Sequence, residues 1–386
     1  MKIPESQHTT AAAIIKWYES KPQENRPHMG ASIIGHECER YIWNTWRWVL
    51  KPAFEGRMLR LFDSGVRAEP RFVEELKAIG AEVWDRDPDT GDQWRVSACN
   101  GHFGGSMDAV ARKLPEAPKS PAIVEMKTHN DKSFNDLLGK GVKDSKPQHY
   151  VQMQTYMGLM QIDRALYMAE NKNTSAVYTE WVHFYEDIFK ATLLKAQRLI
   201  DSTEPPSRIS DDPAFFICKM CSFHPVCHGT RAAEMNCRTC CHATPVVKGA
   251  WQCGVHNATL TDKQQAAGCE QHLMIPALVS YAEPIDGGEN YVIYRHRESG
   301  VEFSNGPGPE PRFSSKDLQH CPASLLPQVA EVKAVFPGSK VVSGTVFDDM
   351  EDDDVDAAPS KKDSAVVREQ RKRVTKTMQA LREFKG

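Results

Sequence analysis

The chain has no run of 18 apolar residues, so no membrane-spanning helix is expected. It has no G-x-x-x-x-G-K-(S/T) stretch, which excludes a nucleotide-driven motor within the chain itself. The opening residues, MKIPESQHTTAAAIIKWYES, lack the apolar core of a secretory signal and read as the start of a helix. The expected compartment is therefore the cytoplasm, with no membrane partner. Net charge is also small: −3 over 386 residues does not advertise a nucleic-acid partner. The acids, however, are concentrated in DDMEDDDVD near the C-terminus, which leaves the remainder mildly basic. For a binding groove, the local field counts more than the total. A hydrophobic content of 40% and a charged content of 26% are ordinary for a globular protein, and the length suits two or three domains.

What the chain does have is cysteine, eleven in all. A reducing compartment disfavours disulfides, so metal is the expected reason. Cys218, Cys221 and Cys227 form C-x2-C-x5-C, three thiolates short of one ligand, and Cys38 is the candidate fourth. Zinc is the rival metal there, with His224 and His228 inside the array. A second array, Cys237, Cys240, Cys253 and Cys269, reads as a zinc ribbon or knuckle, with His256 and His272 as alternates. Zinc would let this apolar-poor segment fold at all. Cys99 and Cys321 fit no such spacing and read as incidental or buried thiols.

The chemistry is concentrated between Gly104 and Tyr156. Asp108 sits in an alternating run, GSMDAVA. Glu125 and Lys127 end a short apolar run, AIVEMK. Gln152-x-x-x-Tyr156 lies in a helix-like segment. The alternation predicts adjacent strands over 101–112 and 122–128. Strand side chains alternate, so Glu125 and Lys127 share one face and Met126 takes the other. With Asp108 on the neighbouring strand, two carboxylates and an ammonium converge at one sheet edge. Such a set suits Mg²⁺ or Mn²⁺, and a lysine placed to orient or deprotonate water on the metal.

Around this stretch, the pattern predicts a helix over 57–79 with a break at Pro70. Strands over 81–85 and 94–100 are expected to form a hairpin about Asp89-Thr90-Gly91-Asp92. The polar stretch after His129, with Lys132, Lys140, Lys143 and Lys146, reads as a loop. A helix over 147–160 places Gln152 and Tyr156 on one face. Strands over 165–170 and 178–184 and a helix over 187–202 complete the core. Trp43, Trp46 and Trp48 read as core residues. The expected fold class is α/β (α+β), a central mixed β-sheet flanked by helices, followed by a small cysteine-rich zinc module and a small β/α unit.

The ordered set resembles the PD-(D/E)XK nuclease superfamily. Gln152 and Tyr156 resemble the Q-x-x-x-Y helix motif of its RecB-like branch. Gly65 and Glu69 resemble the G-x-x-x-(H/E) helix that precedes the strands there. Met107 stands where that family usually has proline. The resemblance implies a restriction-endonuclease-like core, with Asp108, Glu125, the Met126 carbonyl and Glu69 around one or two Mg²⁺ or Mn²⁺ ions. It implies Lys127 beside the attacking water, and Gln152 and Tyr156 lining the site and touching the nucleic-acid backbone. One cysteine before the core and three after it resembles the iron–sulfur RecB-like nucleases. These include the CRISPR-associated spacer-acquisition nucleases, the AddB nuclease domain and the eukaryotic nuclease-helicase of lagging-strand processing. In that group the cluster is [4Fe–4S] and structural, which implies Cys38, Cys218, Cys221 and Cys227 as its ligands.

The implied activity is metal-dependent DNA hydrolysis, expected to be exonucleolytic, in recombination, repair or phage replication in a phage or bacterial setting. DNA is the implied partner, with a recombinase, single-strand-binding protein or helicase supplied by another chain. The rival is a zinc-containing nucleic-acid-binding or regulatory protein with a degenerate nuclease fold. The complete Asp108/Glu125/Lys127 set separates the two, because a decayed site usually loses a member. The domains expected are 1–230 for the nuclease, 231–280 for the zinc module and 281–345 for a hairpin-plus-helix unit. An acidic linker and a basic helix are expected over 346–386.

Overall fold

The protein is described by a computed structural model over residues 9–342 and 345–346. The acidic linker and basic helix expected beyond them lie outside the described residues. The chain forms two compact units. The first takes in residues up to Trp46, Lys51–Asp201 and Val247–Gly249; the second takes in Arg47–Leu50, Ser202–Val246 and the chain from Ala250 on. Among the described residues no helix is long and apolar enough to cross a membrane.

The first unit runs α1 (Thr9–Glu19), β1 (Met29–Gly30), α2 (Glu39–Trp46), α3 (Gly56–Ala78), β2 (Glu82–Trp84), β3 (Arg95–Ala98), β4 (Phe103–Ser106), β5 (Ala109–Arg112), β6 (Ala122–His129), α4 (Asp131–Ser145), α5 (Pro147–Met160), β7 (Arg164–Asn171), β8 (Val177–His183) and α6 (Glu186–Asp201). Its main sheet is mixed, in the order β2-β5-β6-β7-β8. Only β6 and β7 run parallel among these neighbours. These two central strands read AIVEMKTH and RALYMAEN, the near-continuous apolar runs of strands covered on both faces. On one face Val124, Met126, Leu166 and Met168 pack against Phe72, Val73 and Leu76 of α3. Alternation sends Glu125 and Lys127 to the other face, where α4 and α5 lie.

Four local expectations are corrected, each in a way that bears on the site. Helix α3 does not break at Pro70. Proline there removes only the bond to the Val66 carbonyl, and Val66 is 61% exposed, so water can take its place. Strands β2 and β3 do not form a hairpin: β2 pairs with β5, and β3 pairs with β4 in a separate sheet, β1-β4-β3. The 101–112 run is likewise two strands in two sheets, joined by Met107 and the site acid Asp108. Met107 is fully buried and anchors the crossing. The stretch after His129 is not a loop but helix α4. Asn130 caps it by accepting the Ser133 N–H at 2.9 Å, and Phe134, Leu137 and Val142 are buried at helical spacing. Gly141, at φ 73°, kinks this helix where a Cβ would lie 3.3 Å from the Glu180 carboxylate.

The second unit holds α7 (Phe216–Lys219), α8 (His224–Cys227), β9 (Ala243–Pro245), β10 (Trp251–Cys253), β11 (Ala258–Leu260), α9 (Asp262–Ala267), β12 (Ala282–Gly288), β13 (Tyr291–His296), β14 (Glu302–Asn305), β15 (Arg312–Phe313), α10 (Ser315–His320) and α11 (Leu326–Val335). Strands β9, β10 and β11 form an antiparallel sheet of very short strands. A second sheet, β12-β13-β14-β15, includes a β13–β14 hairpin that turns at Gly300 and stacks Tyr294 on Phe303. Beside β10 lies a cationic core: the fully buried Arg238 guanidinium sits 3.7 Å from the Trp48 ring centre and 5.0 Å from that of Trp251. Its Nε donates to Gln265 at 2.9 Å. Burial pulls its pKa down to about 9, yet it remains charged at neutral pH.

Candidate active site

The link between the two sheets of the first unit is hung on the backbone of β6. The Met126 N–H donates to Asp108 Oδ2 at 2.7 Å. That bond brings the Asp108 carboxylate beside Glu125 and Lys127 although it belongs to no strand. Three oxygens then surround one ammonium. Lys127 Nζ lies 2.5 Å from Glu125 Oε1, 3.0 Å from the Met126 carbonyl and 3.4 Å from Asp108 Oδ2. The Glu125 contact is close but off the hydrogen-bond line, and neither of its oxygens, both fully buried, has a hydrogen-bond partner.

The charges are strongly coupled. Burial pushes the Glu125 carboxyl above the ordinary carboxylate range; Lys127 opposes that shift and Asp108 adds to it. For Lys127 the largest influence is burial, which favours the neutral amine. Glu125 and Asp108 together outweigh it and hold the ammonium charged. Glu69 joins from α3. Its carboxyl is raised first by burial and then by Asp108, with Lys127 opposing. Two acids therefore contact one lysine and a third lies within electrostatic range, a set of oxygen donors suited to a divalent cation.

The residues present fit such an ion. Glu125 Oε2, buried without a hydrogen-bond partner, and Oε1, held only by the ion pair with Lys127, are the donors a buried carboxylate offers a metal, and Asp108 and the Met126 carbonyl lie next to them. As the side chains stand, the ammonium is where these donors meet. Among the described residues no three Cys, His, Asp or Glu side chains already form a ligand shell, so a metal here would draw on the backbone carbonyl and on water.

The site opens into a cavity of about 500 Å³ lined by Arg26, His28, Ser32, Ser106, Asp108, Lys127, Gln148, His149, Gln152 and Tyr156, among others. Gln152 and Tyr156 share a face of α5, as their spacing requires. Tyr156 is already engaged: its hydroxyl donates to the Ser106 carbonyl at 2.8 Å and accepts from Gln152 Nε2 at 3.1 Å. It thus braces the strand end that leads into Asp108. Gly105 permits the approach, since a Cβ there would come within 2.7 Å of that hydroxyl.

One group on this wall escaped the sequence reading. The Tyr167 hydroxyl lies 2.9 Å from both His149 Nδ1 and His129 Nε2, and His129 Nδ1 lies 3.1 Å from Ser133 Oγ. A single phenol proton serves two imidazoles, so one ring nitrogen accepts and the other donates. Burial, with Lys146 and Lys127 nearby, pushes His129 down to about 4, and both rings are neutral near pH 7. The only sequence signal was that His149 falls three residues before Gln152, on the same helical face. Tyr167 comes from β7, directly beside Glu125 in the sheet register, and no local pattern connects the two.

The expected metal-binding cysteines divide between the units: Cys38 belongs to the first, and Cys218, Cys221 and Cys227 to the second. Within the second unit Phe223 donates its N–H to Cys221 Sγ at 3.4 Å. Cys237, Cys240, Cys253 and Cys269 line one cavity of that unit. None of the cysteines is in a disulfide; Cys321 is buried and Cys99 half-buried.

No protein-family model matches the chain, and no curated protein matches it in sequence. Solved structures that resemble it include an alkaline exonuclease from Laribacter hongkongensis, at 13% identity and a TM-score of 0.33, over 48% of this chain and 89% of that one. The same exonuclease in complex with dAMP matches at 12% identity and 0.33, with the same coverage. The structure named SSO0001 matches at 14% identity and 0.35, over 58% of this chain and 97% of that one. Likeness at this level assigns neither activity nor substrate, and the residues themselves carry the functional reading.

Proposed function

We propose that the first unit is a Mg²⁺- or Mn²⁺-dependent deoxyribonuclease, acting from DNA ends, that hydrolyses phosphodiester bonds in recombination, repair or phage replication. The supporting observation is the convergence of Asp108 Oδ2, Glu125 Oε1 and the Met126 carbonyl on the Lys127 ammonium at an open cavity. Asp108, Glu125 and the Met126 carbonyl would hold the metal, and Glu69, which feels the charges of Asp108 and Lys127, would add to the negative field around it. When bound, the metal polarises the phosphate and makes a water acidic enough to attack. Lys127 opposes the protonation of Glu125 and presents positive charge to the phosphate. Tyr156 and Gln152 act as positioning residues by fixing the Ser106–Asp108 link. A nucleic-acid-binding protein with a decayed nuclease site is disfavoured, because every member of the acid–lysine set is present.

The deciding experiment is a time course on end-labelled linear and on circular DNA with Mg²⁺ and with Mn²⁺. Loss of linear but not circular DNA is the expected outcome. Cleavage of both would make the enzyme an endonuclease, and no cleavage of either would refute the nuclease reading. The iron–sulfur expectation for Cys38, Cys218, Cys221 and Cys227 rests on their spacing in the chain, and iron and sulfide analysis of anaerobically purified protein tests it.

A further inference from the structure

We propose that the second unit carries a single structural zinc ion bound by the thiolates of Cys237, Cys240, Cys253 and Cys269. These four side chains, with those of His242 and His272, line a cavity of about 260 Å³ whose wall contains no Lys, Arg, Asp or Glu. They come from three separate segments. Cys237 and Cys240 bracket a short turn whose start is fixed by reciprocal bonds between Asn236 and Thr239. Cys253 ends β10, and Cys269 follows the Gly268 that closes α9. Spacing along the chain made this set plausible; the fold brings all four to one place.

Backbone N–H groups are aimed at two of the sulfurs. The His256 N–H donates to Cys253 Sγ at 3.5 Å, and the backbone N–H groups of His242 and Leu273 act on Cys240 in the same sense. An N–H pointed at sulfur stabilises a thiolate far more than a thiol. Four sulfurs gathered in one shielded cavity can all ionise only with a cation among them. The protein itself offers no such cation at the wall. The Arg238 guanidinium, next in sequence, is held between Trp48 and Trp251 instead.

A second observation points to the same occupant. His272 is 4% exposed and lines the cavity. Its Nε2 lies 2.8 Å from the Asn236 carbonyl, which places the ring proton there. Its Nδ1 is then a buried acceptor with no hydrogen-bond partner. The four thiols and this unpartnered imidazole acceptor line a wall that holds no Lys or Arg.

Four thiolates select a borderline-soft, tetrahedral ion such as Zn²⁺ over the oxygen-seeking Mg²⁺. Binding replaces four S–H bonds with four Zn–S bonds and releases four protons to solvent. The sulfurs do not yet stand at ligand distances, so closure must draw them inward. The exposed turn after Cys253 and the half-buried Cys269 provide that freedom.

The test uses the full chain. Metal analysis of the purified protein should find zinc, and Cys253→Ser and Cys269→Ser should each lower its content by one ion per chain. Co²⁺ exchanged into the wild type should give an intense thiolate-to-cobalt absorption that Cys253→Ser loses. Should the variants fail to fold, chelator treatment of the wild type still decides the matter: zinc release should expose four more thiols to a thiol reagent. Zinc-free protein that also fails to take up Co²⁺ would overturn the proposal. So would zinc release that exposes no new thiols, or a His272→Ala variant that loses zinc as fully as Cys253→Ser, since the ligand set would then be different.

Discussion

The acid–lysine cleft and the thiol cavity pose the same electrostatic problem and meet it in opposite ways. Each gathers several potential anions in a place partly shielded from water. In the cleft the chain supplies its own cation, and Lys127 touches Glu125, the Met126 carbonyl and Asp108 at once. In the thiol cavity no Lys, Arg, Asp or Glu stands in the wall to balance the sulfurs. The donors differ as well: oxygen atoms on and beside a central strand in one case, sulfur atoms on short turns and the end of a short strand in the other. A site with an internal counter-ion can keep its shape without metal and exchange ions during turnover. A site without one depends on the ion for its structure.

The largest expected effect tests the cleft. Asp108→Ala or Glu125→Ala should lower metal-dependent DNA cleavage by on the order of 10³-fold or more, with the fold retained by circular dichroism. Wild-type cleavage by Glu125→Ala protein would remove the cleft from the chemistry altogether. Chelation should then separate the two regions. Hydrogen exchange after metal removal should accelerate by at least about tenfold over 237–272, while the amides of β6 stay protected. Equal loosening of both would erase the distinction between a self-balanced and a metal-dependent site.

A smaller effect isolates the internal counter-ion. Lys127→Met should destabilise the metal-free protein by roughly 3 kcal/mol near pH 8, because Glu125 is left buried and unpaired. The pH dependence has a definite sign. The folded-state pKa of Glu125 lies above its unfolded value, so the folded state holds a proton that the unfolded state has released. Stability is then lost as pH rises through the folded pKa and regained as pH falls toward the ordinary carboxylate range. Glu125→Gln in the Lys127→Met background should abolish that dependence in denaturant titrations across pH 5–8. The smallest effect belongs to Tyr156→Phe, which deletes the bond to the Ser106 carbonyl. It should cost about 1 kcal/mol of stability and slow cleavage by less than about tenfold. A loss as deep as that of Glu125→Ala would make Tyr156 a direct participant in the reaction.

Much of this was legible in the sequence, because it is local. Alternation along AIVEMKTH put Glu125 and Lys127 on one face, helical spacing put Gln152 beside Tyr156, and the cysteine intervals marked two arrays before any fold was known. The same logic erred where the local signal was ambiguous. The period of two continues unbroken from β4 through Asp108 into β5, so nothing local announced the change of sheet. Pro70 reads as a break unless its exposed side is known, and the lysines after His129 masked the buried stripe of α4. Only the tertiary structure decided the rest: that Asp108 hangs from the Met126 N–H, that one ammonium serves Asp108 and Glu125, that Tyr167 joins His149 to His129, and that four cysteines from three segments enclose one cavity. The physical reason is that periodicity records which way a side chain points from its own strand or helix. Charge balance and ligand sets depend on which distant segments meet there, and long-range pairing leaves no periodic trace.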